Sequence, residues 1–241
     1  MTAIGAAEPG LRRPRLGAAL SALIFVAAAA AALALFPTDL AIGGGWVERA
    51  AIPGRMLALL WLATLLLRLN KETWADVGMR RPRPFWRVPL LVIGGYAVLG
   101  AAAAGLTLIV LPALGIAPET HALFGALRGD FGEYLYWLLP VAWGSAAVGE
   151  ELVFRGFLQS RLERMFGASL VAGLLAALTQ AAIFGALHLY QGAGGALVAG
   201  ATGFVIGLVY LCGGRNLWAC IILHGLIDTV SLTAIYAGAA G

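Results

Sequence analysis

Apolar and polar positions alternate on a long scale along this chain. Runs of Ala, Leu, Val and Gly lasting about 20 residues are separated by short segments holding most of the Pro, Arg and Asp. Such runs match the ~30 Å hydrocarbon core of a bilayer, which a helix crosses in about 20 residues. The pattern predicts seven spans at 16–36, 52–69, 88–113, 134–154, 168–189, 195–213 and 217–238. Punctuation falls between them at Pro37, Gly43 to Gly45, Pro53-Gly54, Pro82, Pro84, Pro118, Gly192 to Gly195 and Gly213-Gly214. The turns at 190–194 and 214–216 are short, so spans five, six and seven are expected to be antiparallel neighbours. The expected fold is therefore all-α, a polytopic transmembrane bundle. A membrane β-barrel would alternate polar and apolar over ~10 residues, and these runs do not.

Composition agrees. The 241 residues are 61% hydrophobic and 12% charged, and mean hydropathy is +0.89. A soluble domain carries about 25% charged residues. Residues 1–15 read as a cytoplasmic tail and 16–241 as one membrane domain. The run from Leu16 to Phe36 follows Arg12, Arg13 and Arg15. It is longer than a signal-peptide core and reads as a retained first span. With the N-terminus inside, 13 of the 16 Lys and Arg fall on the cytoplasmic side, leaving Arg49, Arg55 and Arg128 outside.

The net charge of +4 follows from this topology. Basic residues are scattered between spans without interleaved aromatics, which argues against nucleic-acid binding. Trp74, Phe85 and Trp86 beside arginines read as an interfacial belt. Cys212 and Cys220 cannot build a disulfide framework and read as small packing residues.

Against this background one segment stands out, Val148-Gly-Glu-Glu-Leu-Val-Phe-Arg155. A carboxylate in a span costs roughly 2.5–3.5 kcal/mol on insertion scales, so such residues mark functional sites by default. Glu151 and Arg155 are four apart and share a helix face. Glu150 is turned by about 100°, so the two glutamates should have different partners. Phe184 and His188 repeat the four-residue spacing on span five, as do His224 and Asp228 on span seven. The third histidine, His121, falls in an outer loop and reads as surface. Depth is harder to reconcile. Glu150 and Glu151 are expected near the cytoplasmic end of span four, His188 near the outer end of span five.

A buried carboxylate can take a proton from water, a histidine can hold the other side of that water, and a second histidine can stabilise an oxyanion. The same groups, Glu150, His188, His224 and Asp228, could instead ligate zinc. The His-Glu-x-x-His and Gly-x-Ser-x-Gly signatures are absent. Ser145, one turn before Glu150, has no obvious base.

In order and spacing, Glu150-Glu151-x-x-x-Arg155, Phe184-x-x-x-His188 and His224-x-x-x-Asp228 resemble the three motifs of the CAAX protease and bacteriocin-processing (Abi) family. These are intramembrane glutamic endopeptidases related to the type II CAAX prenyl endopeptidase. The segment Asp76-Val-Gly-Met-Arg-Arg-Pro82 is similar to one upstream in bacterial members. The resemblance implies a catalytic core at about 134–238 that hydrolyses a peptide bond near the cytoplasmic face. Glu150 would be the general base with His188, and His224 with residue 228 the oxyanion stabiliser. Glu151 and Arg155 would orient the site, with Phe184 packed beside it. The family was long regarded as one of metalloproteases, and a metal-independent mechanism is now the usual view, so no cofactor is expected, with zinc the alternative. Asp228 stands where the prenyl-protein enzymes commonly have Asn. An ionised Asp would repel an oxyanion, so Asp228 is protonated, orients His224, or is a metal ligand. Partners would be a peptide or membrane-associated protein substrate and the lipid bilayer. The location would be the plasma membrane, in a bacterium the inner membrane; 15 arginines to one lysine suggest a GC-rich bacterial genome. The competing reading is a non-enzymatic membrane scaffold, or a proton-coupled transporter using the same buried acids.

Overall fold

The computed structural model describes residues 15–36, 45–116 and 127–238; His121 lies outside them. Seven long helices run through the described residues: α1 (Arg15–Leu35), α2 (Trp46–Leu69), α3 (Arg87–Ala113), α4 (131–166), α5 (Leu170–Leu187), α6 (Gly192–Cys212) and α7 (Trp218–Tyr236). No strand occurs among these residues. Only helices of this kind satisfy their own backbone donors and acceptors where water is absent. All but α4 are long and apolar enough to cross a membrane on composition alone. The exception is the helix that carries the glutamates.

Two expectations need correction. Span two begins at Trp46 rather than 52, because Pro53 is accommodated inside the helix. Span four does not stop at 154 but continues to Phe166. The arginines that seem to end it are matched by partners: Arg155 by Glu151, and Arg161 and Arg164 by Glu72. Glu150 and Glu151 therefore sit near the middle of the helix α4. As expected, α7 contacts its sequence neighbour α6, and it packs more extensively on α4 and α3.

Lipid tails are as apolar as Leu, so helices associate in a membrane by close packing rather than by hydrophobic exclusion. Two clusters show how. Phe25 of α1 is fully buried against Phe154 and Phe157 of α4, with ring centroids 6.2 and 5.3 Å away. On the other side Val92 and Leu99 of α3, Ile206 of α6, and Cys220 and Leu223 of α7 form a second core. Small residues let α5 and α6 approach. A Cβ on Gly185 would come within 2.7 Å of the Ala196 carbonyl and 3.1 Å of Gly200 Cα.

The loop between α2 and α3 is sewn to the turn between α6 and α7. Tyr210 Oη donates to the Val77 carbonyl at 3.0 Å, Leu217 N–H to Gly78 O at 3.1 Å, and Asn216 Nδ2 to Arg80 O at 2.7 Å. Gly78 adopts φ +112°, and a Cβ there would lie 2.7 Å from the Arg215 carbonyl; this close approach requires glycine. The segment 76–82 thus fixes where α7 begins. Trp74 is not purely interfacial: its Nε1 donates to Thr64 Oγ1 at 3.1 Å and its ring packs on the first core. Phe85 and Trp86 are exposed as expected.

Candidate active site

From Trp137 to Gln159, α4 is wound as a π-helix, a geometry that is rare and frequent at functional sites. One consequence is visible at Ser145, whose Oγ donates to the Pro140 carbonyl five residues back at 3.1 Å. That hydroxyl is buried and engaged with backbone.

Glu151 is fully buried. Its Oε1 accepts from Arg155 Nη1 at 2.7 Å and from His224 Nδ1, also at 2.7 Å. The four-residue pair expected on one helix is present, and the carboxylate extends it to α7. Arg155 is equally buried, donates through Nη2 to the Gly203 carbonyl on α6 at 3.2 Å, and lies 4.8 Å from the Phe184 ring centroid. One Glu–Arg pair thereby ties α4 to α5, α6 and α7.

Two buried amides not singled out from the sequence belong to the same layer. Gln180 Nε2 donates to Gly203 O at 2.8 Å, and Gln159 Nε2 to Gly207 O at 3.3 Å. Gln159 continues the stripe Glu151–Arg155–Gln159 at intervals of four. Gln180 stands in a strongly apolar run, a signal available in the sequence; Gln159 is flanked by charged residues and gives none.

Glu150, as expected, takes a different direction. Its side chain is 18% exposed, and Oε2 lies 4.0 Å from His224 Nε2. Asp228 is 27% exposed, with Oδ2 3.7 Å from the same nitrogen. Because Nδ1–H is committed to Glu151, Nε2 is the imidazole atom that faces Glu150 and Asp228. Both carboxylates stand beyond direct hydrogen-bond range of it, at spacings where a water can bridge.

His188 caps the C-terminal end of α5. Its Nδ1 is 2.8 Å from the Phe184 carbonyl; a carbonyl only accepts, so Nδ1 carries the proton and Nε2 is left as an acceptor. The ring packs on Phe184 at 4.4 Å and on Tyr190 at 5.7 Å between centroids, and Phe184 packs edge-on against Phe154 at 4.9 Å. The structure brings Glu150, Glu151, Arg155, His224 and Asp228 into one cluster. His188 joins it through aromatic packing, among the described residues without an ion pair to an acid. Tyr190, for which the sequence offers no motif, lies within electrostatic reach of Glu150, Asp228 and Arg55, and Arg55 within reach of Glu150.

Depth is reconciled by register. Arg155 is level with Gly203 and Gln159 with Gly207. Because α5 runs opposite to α4, Phe184 meets Phe154, and the end of α5 reaches the level of Glu150.

The motif positions therefore converge as parts of one buried constellation. Residues 132–230 match the family model for type II CAAX prenyl endopeptidase Rce1-like proteins. The resemblance read from three short motifs is borne out over that segment. The Rce1-like region runs from the first turn of α4 into α7 and contains every motif residue. It makes a peptidase the coarse functional class of a multi-pass membrane protein. No curated protein and no solved structure matches the chain significantly.

Among the described residues no three His, Cys, Asp or Glu are gathered so as to hold a metal ion. Of the expected zinc set, Glu150 and Asp228 lie 4.0 and 3.7 Å from His224 Nε2, while His188 has no ion pair with them among the described residues.

Proposed function

We propose that this protein is an intramembrane endopeptidase that hydrolyses a peptide bond with water activated by Glu150. The observation that carries the reading is the division of labour between adjacent glutamates. Glu151 is spent on Arg155 and His224, whereas Glu150 keeps a partly exposed carboxylate beside His224 Nε2. A carboxylate that retains access to water, next to an oriented imidazole, suits a general base. Glu150 takes the proton from a water that attacks the scissile carbonyl, and passes it to the leaving amine. His224 acts as the imidazolium: with Nδ1–H held by Glu151, it donates Nε2–H to the developing oxyanion. Asp228 sets the polarity of that nitrogen from its other side. His188 presents Nε2 toward the water. Arg155 acts through Glu151 and is a positioning residue.

A peptide or membrane-associated protein would be the substrate. The cut is placed toward the cytoplasmic face, the side on which Arg161 and Arg164 of α4 pair with the loop residue Glu72. A bacterial inner membrane suits the arginine-rich composition. The proposed mechanism is metal-free, and treatment with chelator tests it.

The test is cleavage of a lipidated and amphipathic peptide library by purified protein, read by mass spectrometry, with wild type, Glu150→Gln and His224→Ala, each with and without a strong chelator. We expect cleavage by wild type in chelator and none by either variant. Activity lost in chelator and restored by zinc would replace the metal-free mechanism. Processing by Glu150→Gln at the wild-type rate would sink the hydrolytic reading and favour a scaffold or proton-coupled transporter.

A further inference from the structure

At the opposite end of α6 from the catalytic cluster lies a cleft of about 590 Å³. Its polar wall is Arg80, Arg81, Arg83 and Arg87; its apolar wall includes Val88, Leu91 and Leu211. No acidic residue lines it. We infer that this cleft binds an anionic phospholipid, with the phosphate among the arginines and an acyl chain along Val88, Leu91 and Leu211.

Four observations support this occupant. The arginine rim is held in place: Arg80 Nη2 donates to Gly214 O at 3.1 Å, and Arg80 O accepts from Asn216. Arg81 and Arg83 are exposed and enter no ion pair among the described residues, so their guanidinium forks are open to a phosphate. α3 and α7, both 19 residues or longer, begin at the cleft, and their N-terminal dipoles favour an anion there. Finally, the apolar wall continues onto α3, the least buried of the candidate spans, where Leu90 and Ile93 are exposed. Exposed Phe85 and Trp86 mark the headgroup level. A soluble phosphate or an acidic peptide would use the arginines but has no need of an apolar wall running into the bilayer.

The test is native mass spectrometry of the whole protein in detergent, titrated with phosphatidylglycerol, with phosphatidylcholine of the same chains, with glycerol phosphate and with an acidic peptide. Wild type should retain phosphatidylglycerol at least tenfold better than phosphatidylcholine, and Arg81→Gln with Arg83→Gln should lose about tenfold or more of that preference. Leu91→Trp, which fills the apolar wall and leaves every arginine, should weaken phosphatidylglycerol as well. Equal retention of the two lipids, or an unchanged preference in the double variant, would overturn the site. Binding of glycerol phosphate or the peptide as tightly as phosphatidylglycerol would show that the acyl chain contributes nothing and would overturn the lipid assignment. Melting temperatures of both variants establish that they are folded.

Discussion

Glu150 and Glu151 are neighbours in sequence with opposite obligations. Removing a partner from a buried ion pair leaves an uncompensated charge and costs about 3–5 kcal/mol. Glu151→Gln should therefore lower the melting temperature markedly as well as abolish cleavage, since Arg155 is fully buried. Glu150→Gln should abolish cleavage with the melting temperature almost unchanged. Thermal melts in detergent check this; equal destabilisation by the two changes would refute the division of roles. Glu72 supplies a pH test outside the membrane spans. Burial alone would raise its carboxyl, but hydrogen bonds and charge from Arg164 and Arg161 outweigh it and hold the group below the usual value. A depressed folded-state pKa gives stability that is present above the unfolded value near 4.5 and lost as pH falls through the folded value. Wild type should melt above Glu72→Gln at pH 7, and the difference should shrink only as pH falls below about 4.5, through the depressed folded-state value.

At the scale of elements, the contact between α5 and α6 sets the position of His188, whose N–H donates to the Gly185 carbonyl at 2.9 Å. Gly185→Ala forces a methyl into the backbone of α6, an overpacking that costs roughly 1–3 kcal/mol. It should lower both melting temperature and cleavage rate, while Gly94→Ala, which meets no atom within 4 Å, should do neither. This scale also shows what the sequence discloses. The Glu151–Arg155 pair is legible because a helix brings i and i+4 together. The bond from Glu151 to His224 spans 73 residues, and no local rule reports it. The inner end of α4 is illegible for a related reason. Hydropathy counts Arg155, Arg161 and Arg164 as reasons to end the helix, whereas their partners, Glu151 and a loop glutamate far upstream, neutralise them as it continues. Pro53 misleads about α2 in the same way, since its neighbours within the bundle decide whether the helix continues.

For the whole molecule, orientation is the testable property. Cys212 is exposed at the arginine-rich end and Cys220 is buried, so a thiol reagent reports mainly on Cys212. Under an N-inside arrangement a membrane-impermeant maleimide should leave Cys212 unlabelled in intact cells and label it once the inner face is opened. Arg128→Cys, at the other end of the bundle, should show the reverse; labelling of Cys212 from outside would invert the topology. The bundle as a whole is visible in the alternation of apolar and polar segments, because each span must be apolar to lipid whatever its neighbours. How the spans are ordered around the site is not visible there, because α7 chooses α4 and α3 through shape and through the clasp between segment 76–82 and the α6–α7 turn.

That clasp and the Glu151–His224 bond have a consequence for synthesis. During translation the chain through α5 already contains Glu150, Glu151, Arg155 and His188, yet the imidazole that completes the cluster arrives only with the seventh helix. On the proposed mechanism, a ribosome-bound intermediate lacks its oxyanion partner. On that mechanism, hydrolysis starts only when the α6–α7 hairpin has docked onto a loop made some 130 residues earlier.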